Sequence, residues 1–280
     1  MIIQKIEIPF STDKYEKRLI IFIDLLGFKN YILSDGRKED DFIALTSHFQ
    51  KNVSEGAKYI KGNAYSYSPT FNFFSDTIII SFPLELFNAP AECKKFTSEA
   101  DPYNDINIDK LNLLFSAVMY ICDIQLHSLK HGLLSRGCVT IGDVYHNKNT
   151  WFGPGLIEAY EHESKIAIYP RVILSKNAHE YFKNEVVTNF CQNLIIQDLD
   201  GLFYVNYIAF IHSKFNTNYC NAHCILRDII DSNIIMLRSK KKQKLKELQK
   251  WEWLSMYFNT YSNDKLKKKY GDDLAENIGI

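Results

Sequence analysis

Residues 18–28 read RLIIFIDLLGF, a continuous apolar run that reaches an acid at Asp24 and a glycine at Gly27. Such a run is typical of a strand buried on both faces of a sheet. A carboxylate at the end of a buried strand is unfavourable unless something compensates its charge. The glycine turn leads into a predicted helix, and backbone N–H groups at such a turn attract anions. An acid beside an anion-binding turn indicates a cation between them, and Mg²⁺ bridging carboxylates and a triphosphate meets that condition.

A second acid, Asp76, follows Asp24 by 52 residues in the stretch 71–82, FNFFSDTIIISF. Two aromatic and β-branched runs split by Ser75 and Asp76 predict a tight hairpin. If the hairpin lies next to the first strand, the two acids meet at one edge of the sheet. They could then hold two ions, one lowering the pKa of an attacking hydroxyl and one neutralising phosphates. The alternative is that Asp76 only forms the turn, because Ser-Asp is ordinary turn chemistry.

The remaining pattern predicts an α/β sandwich with one antiparallel sheet and helices on one face. The predicted elements are a strand at 18–24, a helix at 38–60, the hairpin at 71–82, a helix at 109–131, a strand at 134–145, a helix at 155–164 and a strand at 171–174. Residues 83–108, which are polar and contain three prolines, are predicted to be an insertion loop.

The pattern changes at about residue 176. A strand-like stretch at 202–210 precedes one or two long helices within residues 221–260. We therefore divide the chain into residues 1–175 and a C-terminal extension, residues 176–280, which is expected to pack on the same domain.

Composition excludes some function classes. The 280 residues are 46% hydrophobic and 24% charged, which suits a packed core. Lys and Arg together number 33, as do Asp and Glu, so no global basic field points to nucleic acid. No run approaches the roughly 18–20 apolar residues of a membrane span, and the start of the chain has no apolar stretch of signal-peptide length. We expect a cytoplasmic protein with no membrane partner.

Four segments, in order, resemble the motifs of class III adenylate and guanylate cyclases. Residues 21–28 resemble the first metal-binding motif, in which a strand is followed by an acid, two apolar residues, Gly and Phe. Residues 74–76 resemble the second acid motif, with Ser75 where Gly is usual. Residues 136–144 resemble the Arg-rich strand that ends in a glycine turn, and residues 152–164 resemble the Trp-Gly segment and its helix. The set is also similar to the divergent bacterial Pycsar cyclases of antiphage systems, which make cyclic pyrimidine nucleotides.

This resemblance implies a fold and a set of roles. The fold would be α+β, a ferredoxin-like (βααββαβ) nucleotidyl cyclase palm with an α-rich C-terminal extension. Asp24 and Asp76 would hold Mg²⁺ or Mn²⁺, and the backbone around Leu25, Gly27 and Phe28 would bind the triphosphate. Class III cyclases generally build their sites across a head-to-tail dimer, so a homodimer is implied. The reaction would convert a nucleoside triphosphate to a 3′,5′-cyclic second messenger and pyrophosphate, with cUMP or cCMP as the pyrimidine products.

The sequence departs from the family pattern in the helix at 155–164. Ile157 and Glu161 stand where the family carries an Asn and, four residues on, an Arg that stabilises the transition state. An acid cannot stabilise the negative charge on a transferring phosphoryl group. Arg136 and Arg171 are the candidates for that role, with Lys165 third. For both arginines the alternative is a structural ion pair.

The positions that select a purine also differ. Asn72 and Thr150 stand where the family uses a Lys before the second acid motif and an Asp before the Trp-Gly segment. Short polar side chains can hydrogen-bond a base edge without presenting the purine-specific pair, which favours a pyrimidine. Tyr65, Tyr67 or Phe73 could stack on a base, and ordinary strand packing is their alternative.

Two other function classes stay open. A degenerate cyclase palm could sense a nucleotide without turning it over, as Ile157 and Glu161 suggest. The Lys-rich segment 238–250 could instead contact a phosphate, a nucleic acid or a partner protein, although a solvated helix face has the same composition. The presence of both acids favours an enzyme that acts on a nucleoside triphosphate.

Overall fold

The apolar run of residues 18–28 lies inside a sheet. The computed structural model describes residues 14–33, 39–54, 69–84, 107–186, 193–210, 219–240 and 244–270. Their strands are β1 (Glu16–Leu26), β2 (Thr70–Phe74), β3 (Thr77–Pro83), β4 (Leu134–His146), β5 (Trp151–Phe152), β6 (Val172–Leu174), β7 (Ile195–Gln197) and β8 (Phe203–Val205). The strand order is β2-β3-β1-β4-β6-β8-β7, and β5 pairs with β4. β1 is therefore paired on both sides, as its composition predicts.

Helices flank this sheet. They are α1 (Phe28–Leu33), α2 (Glu39–Ser54), α3 (Ile108–Lys130), α4 (Pro154–Lys165), α5 (Lys176–Tyr181), α6 (Lys183–Val186), α7 (Tyr219–Ser239) and α8 (Leu245–Tyr270), with a 3₁₀ turn at Tyr207–Phe210. Helix α3 has 23 residues and begins after Asn107. The Asn107 side chain caps it by accepting hydrogen bonds from the N–H groups of Asp109 and Lys110. The mixed α+β class is confirmed.

The predicted limits hold to within one or two residues for the hairpin, α3, β4 and α4. The predicted strand at 202–210 is wrong beyond Val205, where a 3₁₀ turn follows. Tyr207 is buried there against the ring of Tyr257 on α8, 5.4 Å between centroids, so side-chain packing and not a strand ladder holds this apolar segment. Most of the predicted insertion loop at 83–108 lies outside the described residues, as do residues 55–60 of the predicted helix.

The sheet is mixed, so the expectation of one antiparallel sheet is wrong. β1 runs antiparallel to both β3 and β4. β4 and β6 run parallel, with Gly137 opposite Val172. Parallel neighbours need a crossover connection, and α4 lies in the chain between these two strands.

Helices cover both faces, so the expectation of a one-sided sandwich is also wrong. Side chains alternate along β1. Leu19 and Ile21 lie in the main core with residues of α2, α3, α7 and α8. Ile20 and Phe22 lie in a second cluster with Ala159 of α4. A continuous apolar run cannot tell which element covers which face.

Helix α4 approaches β4 so closely that neither has room for a side chain at the contact. A Cβ atom on Gly155 would lie 2.9 Å from the backbone of Gly142 and 2.7 Å from Cδ1 of Ile20. We expect Gly155→Ala to lower the free energy of unfolding by about 1–3 kcal/mol through overpacking, although alanine is the better helix former. Chemical denaturation measures this, with Ser164→Ala on the same helix as the control. A Gly155→Ala protein as stable as the wild type would contradict the packing argument.

Candidate active site

Asp24 and Asp76 lie at the same edge of the sheet. In the pairing of β1 with β3, Asp24 is opposite Thr77, the residue after Asp76. The N–H of Leu25 donates to the carbonyl of Asp76 at 2.9 Å, so β1 holds the hairpin turn directly. Burial raises the pKa of the Asp24 carboxyl, and the negative charge of Asp76 raises it further. The two acids therefore share a half-buried region that favours an added positive charge.

The tip of the hairpin has an unusual backbone. Ser75 has a φ of +58°, and no other non-glycine residue in the described ranges has a positive φ. This conformation costs a residue with a side chain about 1–2 kcal/mol. The two-residue connection between β2 and β3 keeps a left-handed turn with Ser, at the position where the cyclase motif has Gly.

Arg136 is the cation that the sheet places against Asp24. The pairing of β1 with β4 sets the two residues opposite each other, and Arg136 Nε lies 3.7 Å from the Asp24 carboxylate. The same Nε lies 2.6 Å from Oε1 of Glu163 on α4. This contact lacks the alignment of a hydrogen bond, so it is an ion pair. Arg136 is thus shared between two acids, and its side chain is 20% exposed.

Glu163 is an acid that sequence reasoning did not select. Its side chain is 3% exposed. Burial raises the pKa of Glu163 to about 7, Arg136 opposes that rise, and Asp24 adds to it. A detectable signal was present, because Glu163 follows the buried Gly155 and Ala159 at four-residue spacing and so shares their face of α4.

The titration of Glu163 predicts how stability depends on pH in the metal-free protein. The folded state holds this proton more tightly than the unfolded chain. The stability that Glu163 adds to the folded state is therefore fully present below the ordinary pKa of 4.5, and it is lost as the pH rises through about 7. We expect the free energy of unfolding to fall by on the order of 3 kcal/mol across this window.

Glu163→Gln should remove most of that slope, because glutamine does not titrate. Urea denaturation from pH 4.5 to 8 in the presence of a chelator measures the slope. Glu180→Gln, an exposed position on α5, is the control. An unchanged slope in Glu163→Gln would contradict the prediction.

Lys250 of α8 completes the charged cluster. Burial and the positive charge of Arg136 lower the pKa of Lys250, and Asp24 and Glu163 oppose this. Sequence reasoning placed Lys250 in the Lys-rich segment 238–250 and left open whether that segment is a solvated helix face or a phosphate contact. Its only signal was its place beside Trp251, which is 6% exposed and packs in the main core.

The acids fit a divalent cation by their chemistry. Carboxylate oxygens are the ligands that Mg²⁺ and Mn²⁺ prefer. The raised pKa of Asp24 indicates that its burial and its neighbour Asp76 outweigh Arg136 and Lys250, so a cation at the pair would stabilise the ionised form. Asp24 and Asp76 are the described residues that would hold it.

The predicted phosphate-binding turn is only partly available. Gly27 has a φ of +83°, which glycine adopts without strain. The N–H of Leu25 is used in the bond to Asp76, so it is not available to a phosphate. Phe28 packs its ring 5.0 Å from that of Phe42. This ring contact does not involve the backbone N–H of Phe28, and Gly27 lines an open cavity.

Asn72 belongs to a buried chain of hydrogen bonds. Arg18 Nε donates to Ser81 Oγ at 2.8 Å, and Ser81 Oγ lies 2.6 Å from His146 Nδ1. His146 Nε2 then donates to the Asn72 side-chain oxygen, and the Asn72 amide donates to the carbonyl of Lys148 at 2.9 Å. Burial lowers the pKa of His146 to about 3, so the ring is neutral and can accept at one nitrogen while it donates at the other.

The other residues predicted to contact a base lie in different environments. Thr150 is exposed in the turn between β4 and β5, where its N–H donates to the Asn147 side chain at 2.8 Å. Phe73 packs against the main core, 6.0 Å from Phe42. Tyr65 and Tyr67 lie outside the described residues.

Arg171 is held by other partners than the acid pair. Its side chain is 1% exposed, and its guanidinium binds Asp198 and Asp200 in the turn between β7 and β8. The guanidinium also lies 5.7 Å from the ring centroid of Trp253 on α8. This geometry fits the structural alternative, an ion pair that ties β6 to the C-terminal extension. Lys165, the third candidate, forms an exposed ion pair with Glu161 at 2.8 Å.

A second group of potential metal ligands lies between α2 and α3. Ligand atoms of His48, Asp123 and His127 are all within 4.8 Å of one another. The rings of His48 and His127 stack at 3.5 Å, and His127 Nδ1 donates to the Asp123 carbonyl at 3.1 Å.

Across the part of the chain that the structure describes, no helix has both the length and the apolar character needed to cross a membrane. The sequence matches no family model and no curated protein.

Solved structures similar to the chain include two guanylyl cyclase domains. One is the monomeric guanylyl cyclase domain of the RhoGC fusion protein from the aquatic fungus Blastocladiella emersonii, with 14% identity and a TM-score of 0.38 over 69% of this chain and 95% of that chain. Another is the catalytic core of a rhodopsin-guanylyl cyclase with converted specificity in complex with ATPαS, with 16% identity and a TM-score of 0.38 over 69% of this chain and 97% of that chain. At this level of similarity neither carries an argument about fold or activity.

Proposed function

We propose that this chain is a metal-dependent nucleotidyl cyclase that converts a nucleoside triphosphate to a 3′,5′-cyclic nucleotide and pyrophosphate. The observation that carries the proposal is the meeting of Asp24 and Asp76 at one sheet edge with Arg136 opposite Asp24. Two acids close enough to raise a carboxyl pKa are unfavourable in a scaffold, and a bound cation removes that cost.

The proposed reaction is an intramolecular displacement. The ribose 3′-oxygen forms a bond to the α-phosphorus, the bond from that phosphorus to the β-phosphate oxygen breaks, and pyrophosphate leaves. The hydroxyl proton passes to water. A divalent ion held by Asp24 and Asp76 supplies charge stabilisation and a lowered hydroxyl pKa when bound. Arg136, 3.7 Å from Asp24, would neutralise charge that develops on the phosphoryl oxygens.

The fold supports a finer proposal, a ferredoxin-like palm in residues 1–175. β2, β3, β1 and β4 are neighbours in that order and antiparallel throughout. β7 and β8, which follow residue 175, extend the same sheet through β6. We therefore propose that the extension belongs to the same domain.

A homodimer is proposed from an apolar surface on the α4 side of the sheet. A concave region of about 290 Å³ is lined there by residues including Phe22, Ile79 and Trp151. At its border Phe74 is 69% exposed, Ile157 62% and Tyr160 55%. Exposed apolar side chains grouped in this way are typical of protein interfaces, and a second copy of this chain is the occupant we propose. Sedimentation of the wild type and of Ile157→Lys tests it, and an unchanged monomer in both would contradict it.

A nucleotide sensor is the second candidate function. Ile157 and Glu161 are exposed on α4, and Glu161 is paired with Lys165. Neither offers positive charge to a transition state. A sensor would bind nucleotide and metal at the same acids without turnover.

Product analysis separates these functions. Purified protein is incubated with ATP, GTP, CTP and UTP in turn, with Mn²⁺, and the products are identified by mass spectrometry. A cyclic monophosphate from any of them supports the cyclase and names its base, and we expect cUMP or cCMP if the enzyme selects a pyrimidine. Nucleotide binding without product would overturn the cyclase in favour of the sensor.

A further inference from the structure

A cavity of about 320 Å³ lies between the Gly27 turn and the C-terminal helices. Leu26 and Gly27, two and three residues after Asp24, form one wall. The lining also includes Lys240, which follows α7, Lys244, which precedes α8, and Lys250 of α8. Three lysines thus line a cavity that includes the turn directly after Asp24.

Packing holds these lysines in place. Trp251, the neighbour of Lys250, and Leu237, three residues before Lys240, are buried in the main core. The side chain of Asn30 on α1 donates to Glu247 on α8 at 3.1 Å, which connects the two walls of the cavity. Lys250 is therefore carried by a helix that packs in the main core, and Lys240 and Lys244 directly adjoin the ends of α7 and α8.

The charge of the cavity is positive. Glu247 is the acid among its lining residues, and it is bound to Lys244 at 2.9 Å and to Asn30. Two of the three lysine charges remain after this pairing. Lys250 interacts electrostatically with Asp24, Glu163 and Arg136, so it belongs to the cavity and to the acid cluster at once. An anion in the cavity would form an ion pair with Lys250, alone or together with Asp24 and Glu163.

We propose that this cavity binds a chain of two or three phosphoryl groups, and that the C-terminal helices supply from the same chain the cations that α4 lacks at Ile157 and Glu161. The inference rests on the proposed function for its substrate, since a triphosphate whose α-phosphorus lies at Asp24 and Asp76 would extend its β- and γ-phosphates past Gly27. The same chemistry is offered by the pyrophosphate product. The extension is then part of the active site.

Isothermal titration with inorganic pyrophosphate, in the presence of a chelator and without divalent cation, tests the cavity alone. We expect the wild type to bind and Lys250→Gln to bind about tenfold more weakly, equivalent to about 1.4 kcal/mol. The double variant Lys240→Gln, Lys244→Gln should weaken binding at least as much. Lys246→Gln is the matched control, because Lys246 is exposed on the same helix and is not part of the cavity lining. Absence of binding in the wild type, or equal affinity in the lysine variants and the control, would overturn the proposal.

Further experiments distinguish the possible phosphate ligands, and they separate failure of the cavity proposal from failure of the cyclase proposal. A non-hydrolysable nucleoside triphosphate should compete with pyrophosphate, whereas a nucleoside monophosphate should not. A single-stranded oligonucleotide that binds more tightly than pyrophosphate, with the same lysine dependence, would replace the proposal by a nucleic-acid contact. Lysine-dependent pyrophosphate binding without cyclic product would contradict the proposed cyclase activity and support the phosphate-binding cavity. Formation of cyclic product with unchanged kcat and KM in Lys250→Gln would support the cyclase and contradict a role of the cavity in it.

Discussion

Asp24→Asn and Asp76→Asn are each expected to lower the rate of cyclic-nucleotide formation by at least about a thousandfold, or about 4 kcal/mol of transition-state stabilisation. Asparagine keeps the shape of the side chain but removes the negative charge that binds a divalent ion. Neither acid can replace the other, because both lie in fixed positions, one at the end of β1 and one in the hairpin turn that β1 holds.

Stability separates this loss of function from misfolding. Burial and Asp76 raise the pKa of Asp24, so the ionised carboxyl is unfavourable in the metal-free fold. We therefore expect Asp24→Asn to be at least as stable to urea as the wild type while it is inactive. Asp143→Asn, an exposed acid on β4, is the control and should keep full activity. Activity within a few-fold of wild type in both Asp24→Asn and Asp76→Asn would exclude the acid pair as the metal site.

Arg171→Met is expected to lower the free energy of unfolding by about 2–3 kcal/mol, because the buried guanidinium loses its charge-assisted hydrogen bonds while the side chains of Asp198 and Asp200, 22% and 44% exposed, stay partly solvated. The guanidinium is 1% exposed and binds Asp198 and Asp200, whose charges would lose their partner. The contacts with aromatic rings of Tyr204 and Trp253 would be lost as well.

Denaturation with guanidinium chloride measures the effect, and Arg238→Met is the matched control. Arg238 is paired with Glu252, but its side chain is 63% exposed, so we expect a change of about 1 kcal/mol or less. An Arg171→Met protein of wild-type stability that has lost activity would reverse our interpretation and restore Arg171 as a catalytic candidate.

The two arginines show where sequence reasoning ended. Both were selected as cations that could replace the transition-state Arg that the helix at 155–164 lacks. The structure brings Arg136 to Asp24 because the β1–β4 register is fixed by pairing across eleven positions from Glu16 to Leu26. Arg171 precedes the short strand β6, and its partners come from the turn between β7 and β8, which no local pattern could connect to it.

The sequence by itself determined the local elements that create the site. A buried apolar run that ends in Asp24, and a hairpin split at Asp76, follow from side-chain period and turn chemistry, which act over a few residues. Only the tertiary structure decided that α4 covers the second face of the sheet, that Glu163 lies against Arg136, and that Lys250 reaches the acids. These placements depend on contacts between residues far apart in the chain, and on close approaches such as that of Gly155 to Gly142, which have no periodic signature. The C-terminal lysines are the clearest case, because a solvated helix and a phosphate-binding wall have the same composition until packing shows which face points inward.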